Sequence, residues 1–344
     1  MADVAPLAPG ATPVEAPPPV RGGRLGLHGS EFWAALAFLI PNFSGFLLFT
    51  AGPVLFSLVV SFTNWSLIRE EPTQFIGFAN FAQMFGDTEF WLYFLNTGYL
   101  MLGMPLSIAG SLFLALLLSQ KLRGLVVYRT IFYLPSFTAG VALLILWKAL
   151  YNPDFGPINA LLDPLLRGLF GPDAQAPTWL LSTKNLLGLH VEEVRLTWEQ
   201  FGLGARDAII FMGIWTAIGG ANMLLYLAGI SNIPQELFEA AQIDGAGPWA
   251  TFRHVTWPQL APTTFFIIVM SFIGGLQGGF EQARVLTSGG PSGTTTTLAY
   301  YIYTKAFEEF QIGYASAVSW VLFVIIAIVT LVNWKYGSRE TVDG

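Results

Sequence analysis

The sequence contains no cysteine. Disulfides, thiolate zinc sites, iron–sulfur clusters and cysteine nucleophiles are therefore excluded together, while the redox compartment is left open. Charge is the second scarcity. Charged residues make up 11% of the 344, against about 25% in soluble globular domains. The 16 Lys and Arg against 22 Asp and Glu leave a net charge of −6, so the basic footprint that neutralises nucleic-acid phosphates is missing. The histidines, His28, His190 and His254, have no metal-ligand spacing. No Walker A sequence occurs either. The run Gly289-Gly290-Pro291-Ser292-Gly293-Thr294 is glycine-rich but offers no lysine to a phosphate, so the chain cannot hydrolyse ATP alone. What the sequence has in quantity is apolar: 53% of it is hydrophobic and 15% aromatic.

A helix needs about 20 mostly apolar residues to cross roughly 30 Å of hydrocarbon. Stretches at 33–62, 92–119, 130–147, 208–230, 263–280 and 313–334 qualify. None shows the sustained apolar–polar alternation of barrel strands. The predicted fold class is all-α, a polytopic bundle of about six transmembrane helices. The first stretch is long and carries Pro41 and Pro53. It reads as a short interfacial segment followed by a kinked crossing from Asn42. A cleaved signal peptide fits less well, because the run is too long and no small-residue cleavage site follows it.

Residues 1–30 hold Pro6, Pro9, Pro13 and Pro17-Pro18-Pro19 among alanines, a composition that builds no core and reads as a disordered tail. The transmembrane domain is then 31–344. Lys and Arg divide evenly between the two sides. However, Lys121, Arg123 and Arg129 crowd the short second-to-third connection, and the long 151–206 connection translocates largely regardless of its charge. That favours both termini inside.

One connection stands out, between the fourth and fifth stretches at about 231–262. Pro234 suits a helix's first turn, where its missing N–H costs nothing, and Glu236 and Glu239 sit near the positive end of the dipole. Asp244-Gly245 supplies a stop. Pro248 then begins a second short helix, which Pro258 closes. The small Ala240 and Ala241 permit close approach of another surface, and Glu236, Glu239 and Asp244 offer contacts to a basic partner. A helix lying in the headgroups would usually carry Lys and Arg on its polar face, and this first helix carries neither.

These residues resemble a known family. Glu239-Ala240-Ala241, Asp244-Gly245-Ala246 and Val255-x-x-Pro258 are similar to the EAA loop of ABC importer permease subunits, with Val255 and Trp257 where the usual ending has Ile and Leu. The resemblance extends over nearly the whole chain. Phe75–Phe81, Arg129–Pro135, Tyr151–Asn159, Leu286–Pro291 with Thr294–Thr297, and Gly313–Ala317 match, in order, the carbohydrate-type branch that includes maltose and glycerol-3-phosphate transporters.

The resemblance implies a type I importer permease fold and a multi-pass subunit of a bacterial or archaeal plasma (inner) membrane. It also implies a pseudo-symmetric second permease subunit, two ATPase subunits that bind ATP and Mg, and an extracytoplasmic solute-binding protein. The EAA loop becomes a cytoplasmic coupling helix seated on an ATPase subunit. Glu239 and Asp244 then make polar contacts, Ala240, Ala241 and Ala246 allow insertion, and Gly245 and Pro258 shape the turns. The chain itself has no catalytic residue and no cofactor in this reading. The segment 181–204, with His190, Glu192, Glu193 and Trp198, is longer than in most relatives and reads equally as a cap, a contact for the binding protein or an insertion.

Two rival functions are weaker. Gly290-Pro291-Ser292-Gly293 fits the G-x-S-G pattern of rhomboid-like proteases, but no histidine lies in any predicted span to act as base. Secondary transporters and channels usually carry charges or interrupted helices at membrane depth, and the six stretches contain no internal Lys, Arg, Asp or Glu. That absence points to a neutral sugar or oligosaccharide, with glycerol-3-phosphate or a polyol-like solute as the alternative. Neutral polar groups among aromatics can bind sugars: Tyr99, Trp215, Thr216, Asn222 and Gln277 are the candidate pathway residues, the two amides foremost. The overlapping pairs Gly274–Gly278 and Gly275–Gly279 allow either close helix contact or room for a substrate.

Overall fold

The computed structural model describes residues 29–68, 72–120, 123–138, 140–190 and 195–337. The predicted tail falls almost wholly outside them, as do Glu192 and Glu193. The chain forms two compact units, one up to Leu55 and one from Phe56 onward.

Among the described residues, four helices are long and apolar enough to cross a membrane: α1 (Trp33–Val60), α3 (Thr88–Leu118), α7 (Ala205–Ser231) and the helix α12 within Ile312–Gly337. Two bent pairs complete six spans. One is α4 (Leu125–Phe137) with α5 (Gly140–Leu150), the other α9 (Pro248–Gln259) with α10 (Ala261–Gln277). Between them lie α2 (Ala79–Gly86), α6 (Pro157–Phe170), α8 (Gln235–Ile243) and α11 (Leu298–Tyr303). Among the described residues the fold is all-α apart from one antiparallel strand pair, β1 (Leu189–His190) with β2 (Arg195–Leu196), in which Leu189 pairs with Leu196 and His190 with Arg195.

Prolines explain where the helices differ from the expectation. The first span has no separate interfacial segment. It is one helix through Pro41, with a π turn at Leu47–Ala51 directly before Gly52-Pro53. A π turn already interrupts the i−4 ladder, so a residue without an N–H is accommodated there. The same device recurs at Phe252–Thr256 ahead of Pro258. Pro258 therefore does not close the second short helix; the chain turns by 63° only beyond Gln259. The third span breaks near Pro135, after a 3-10 turn at Leu134–Phe137.

In the unit from Phe56 onward, three apolar clusters hold the spans. Met84, Phe90, Tyr301, Tyr314 and Val318 join α2, α3, α11 and α12. Leu112, Ala115, Met223, Tyr226 and Ile267 join α3, α7 and α10. Leu144, Tyr151, Trp179, Ala208 and Met212 join α5, the long third-to-fourth connection and α7. Close packing of α3 on α7 uses Gly110, where an added Cβ would lie 2.7 Å from Ile218.

The motif residues of the long connection are its anchors. Tyr151 Oη donates to Ala208 O at 2.8 Å, and Trp179 Nε1 donates to Asn159 Oδ1 at 2.6 Å. Likewise Arg129 Nη2 donates to Leu118 O at 3.0 Å, across the short connection between the second and third spans.

Candidate functional site

The connection after the fourth span is a helix–turn–helix, as its sequence indicates. Pro234 is the N-cap of α8 with an extended ψ of 133°, one position earlier than a first-turn proline. Glu236 stands in the first turn. At the other end Gly245 N donates to Gln242 O and Ala246 N to Ala241 O, the paired bonds of a Schellman stop. Gly245 has φ +72° and open space around it, so the turn needs glycine for its backbone and not for room. Glu239, Ala240, Asp244, Gly245 and Pro258 are exposed, and Ala241 and Ala246 half-buried. The apolar tip residue Ile243 is 86% exposed. A short acidic helix with an uncovered isoleucine at its end has little to gain from water and much from a complementary cleft.

A cavity of about 380 Å³ lies among α3, α7 and α10. Asn222, Ser271, Ser107, Thr97, Thr297 and Gln282 supply its polar lining, and no charged side chain among the described residues reaches it. Gly274, Gly275, Gly278 and Gly279 line it as well. An added Cβ at Gly274 would meet nothing within 4 Å, and one at Gly275 only Met101. Gly274 thus borders open space, whereas Gly275 is in close contact with Met101, Gly278 with the Gly274 carbonyl and Gly279 with Thr297.

α7 is interrupted beside this cavity. Its helical segments are Ala205–Ile218 and Ala221–Ser231, with Gly219-Gly220 between them. The Phe132 carbonyl approaches so closely that a Cβ on Gly219 would lie 1.9 Å from its oxygen. The break places Asn222 in the first turn of the second segment, half-buried, with its amide unengaged by any other described residue.

The other pathway candidates are dispersed. Gln277 is exposed on α10 outside the cavity lining. Thr216 Oγ1 donates to Met212 O within its own helix. Trp215 is half exposed and packs edge-on against Trp147, their ring centroids 5.4 Å apart. Tyr99 is buried and donates to Asp207 Oδ1 at 2.9 Å.

That last bond exposes a charge pair the predicted spans left out. α7 begins three residues earlier than expected, and Arg206 and Asp207 in its first turn are each 1% exposed. Asp207 Oδ2 accepts from Gly204 N and Leu186 N, both at 3.2 Å. It thereby caps the helix and fastens the base of the hairpin. Arg206 Nε donates to Thr294 O at 2.9 Å. The adjacent Arg-Asp directly before an apolar run was the available signal, because charges at a span end can cap it as well as lie outside it.

Residues 107–337, more than half of the chain, match the family model described as the binding-protein-dependent transport system inner membrane component. The chain belongs to this family. Relatives named as ABC transporter or transport system permeases align over nearly the whole chain. It is 36% identical over 310 residues to a probable ABC transporter permease protein, YesP, of Bacillus subtilis, covering 89% of this chain and 90% of that one. It is 32% identical over 313 residues to the lactose transport system permease protein LacF of Rhizobium radiobacter, covering 90% and 94%. The permease also matches a chain in the crystal structure of a bacterial alginate ABC transporter, in complex with an alginate pentasaccharide-bound periplasmic protein. There the TM-score is 0.73 at 24% identity, covering 91% of this chain and 96% of that one. The fold is the type I ABC importer permease fold.

Proposed function

We propose that this permease is one of two translocation subunits of an ATP-driven, binding-protein-dependent saccharide importer. Its other components are a second permease, two ATPase subunits carrying ATP and Mg, and an extracytoplasmic solute-binding protein. Both termini and α8 lie on the cytoplasmic side, and the 151–206 connection on the other. Residues 31–344 form the translocation domain and the preceding tail no part of it.

The observation that carries this reading is the exposed acidic helix Gln235–Ile243, stopped at Gly245 and held between two spans. Seated on an ATPase subunit, it passes motion at Glu239–Gly245 into α7 and α10, so the spans alternate between inward-facing and outward-facing states. Coupling requires that ATP and solute each bind the two states with different affinity. The uncharged lining around Asn222 supports a hydroxyl-rich, neutral saccharide over glycerol-3-phosphate, because a phosphate taken out of bulk water needs cationic donors.

The test is mild-detergent purification from the native membrane with mass spectrometry of what co-purifies. The expected result is an ATPase subunit, a second permease, and ATP hydrolysis stimulated by a binding protein with its sugar. A homo-oligomer free of ATPase, from a preparation that preserves other ABC complexes, overturns the reading.

A further inference from the structure

A second cavity, of about 260 Å³, lies at the end of α7 remote from the 231–262 connection. Thr183, His190, Gln200, Arg206, Ser292 and Thr294 supply its polar wall. Arg206 is 1% exposed, its guanidinium carbon 5.4 Å from the Tyr99 ring centroid; among the described residues only its Nε–H has a hydrogen-bond partner, and Nη1 and Nη2 are buried with none. Nδ1 of His190 is in the same position. Buried donors without acceptors are costly, and a guanidinium most of all.

The charge of Arg206, by contrast, is already balanced. Asp207 follows it in the chain, equally buried, its carboxylate accepting from Tyr99 Oη, Gly204 N and Leu186 N. The pair is neutral as a whole but short of acceptors. A carboxylate or phosphate entering beside Asp207 would meet a second negative charge in a poorly solvated site. A hydroxyl oxygen supplies the acceptor without that repulsion. The volume, just under the roughly 300 Å³ at which drug-sized pockets begin, suits one sugar ring.

The cavity is also in series with the one around Asn222. Three elements step from one to the other: Leu92 to Thr97 on α3, Arg206 to Ile209 on α7, and Thr294 to Thr297 in the connection before α11. On the two helices these steps are about one to one and a half turns.

We infer that this cavity is an outer saccharide subsite. Nη1 and Nη2 of Arg206 donate there to hydroxyl oxygens of one neutral hexose unit, with Gln200 and His190 as further partners. The inference rests on the saccharide-import reading and names where a sugar is first held in this chain.

The test uses the full chain in lipid nanodiscs, titrated separately with D-glucose, D-galactose and D-glucuronate and read by saturation-transfer NMR. The expected result is transfer to at least one neutral hexose, no tighter binding of glucuronate, and a Kd raised about tenfold or more in Arg206→Lys and in Gln200→Ala, the loss of a charge-assisted or side-chain hydrogen bond. Should Arg206→Lys fail to fold by thermal melting, Gln200→Ala and Thr183→Val decide. Absence of hexose transfer, unchanged Kd in the folded variants, tighter glucuronate binding, or transfer only with solute-binding protein present each overturns the subsite. Sugar-stimulated ATPase in the co-purified complex is read independently. If that activity persists without hexose binding here, the subsite fails and the importer reading stands; its absence with binding intact does the reverse.

Discussion

Asp87 gathers more interactions than any neighbouring carboxylate. It caps α3 through Glu89 N at 2.9 Å, and its Oδ2 accepts from Tyr301 Oη at 2.6 Å and Tyr314 Oη at 2.8 Å. Burial pushes its pKa up, but the tyrosine hydroxyls, the Glu89 N–H and the charge of Lys305 outweigh it and hold the carboxyl below its ordinary 3.8. A carboxyl lowered by folding stabilises the protein above its unfolded pKa and ceases to do so as pH falls through the lowered value. Thermal unfolding in detergent should therefore be insensitive to this group at neutral pH and show its loss only below pH 3.8. Asp87→Asn should lower the neutral-pH Tm and remove that part of the acid dependence. Nothing in the local sequence marked Asp87, because its tyrosines come from α11 and α12, more than 200 positions away. Asn222 and Gln277 looked equivalent as amides, yet only Asn222 lines the cavity. Asn222→Ala should slow transport about tenfold, the loss of roughly one solute hydrogen bond, with ATPase binding retained, and Gln277→Ala should change it less. Equal effects in a vesicle uptake assay would remove the distinction.

Among the elements, the break in α7 makes the sharpest demand. The Phe132 carbonyl occupies the space of a Gly219 side chain, and a backbone atom cannot step aside as a flexible side chain does. Gly219→Ala should cost at least about 1–3 kcal/mol by the usual penalty for overpacking, and shift the two halves of α7 that flank Asn222. Gly213→Ala, on the same helix with nothing within 4 Å of the added Cβ, should be neutral or slightly stabilising. Paired thermal melts in detergent check both. The spans themselves were readable because about 20 apolar residues have few other uses. Their irregularities were readable only in part. Pro135 ended a helix and Pro41, Pro53 and Pro258 did not. A π turn ahead of Pro53 and Pro258 decides the difference at those positions, and π turns leave no signature in a proline count. The Asp244-Gly245 stop was fully legible, since positive φ at that position is a local property of the chain.

At the scale of the whole molecule, long-range neutralisation is what the sequence hides. Arg206 and Asp207 looked like loop charges because the partners that bury them, Tyr99, Leu186, Gly204 and Thr294, are scattered over some 200 residues. The opposite holds for α8. Its acidic face reads directly from Glu236, Glu239 and Asp244 and stays exposed, so nothing among the described residues accounts for it. If that face seats on a basic cleft of an ATPase subunit, its charge serves assembly and coupling and not the fold. Reversing it in Glu239→Lys with Asp244→Lys should then leave the melting temperature of the isolated permease within the small range of surface substitutions, about 0.5 kcal/mol. In the assembled importer the same variant should lose nearly all substrate-stimulated ATP hydrolysis, because like charges now meet at the contact. A variant that melts early would show α8 to be part of the permease core. One that melts normally and hydrolyses ATP at the full stimulated rate would show that motion enters the spans elsewhere.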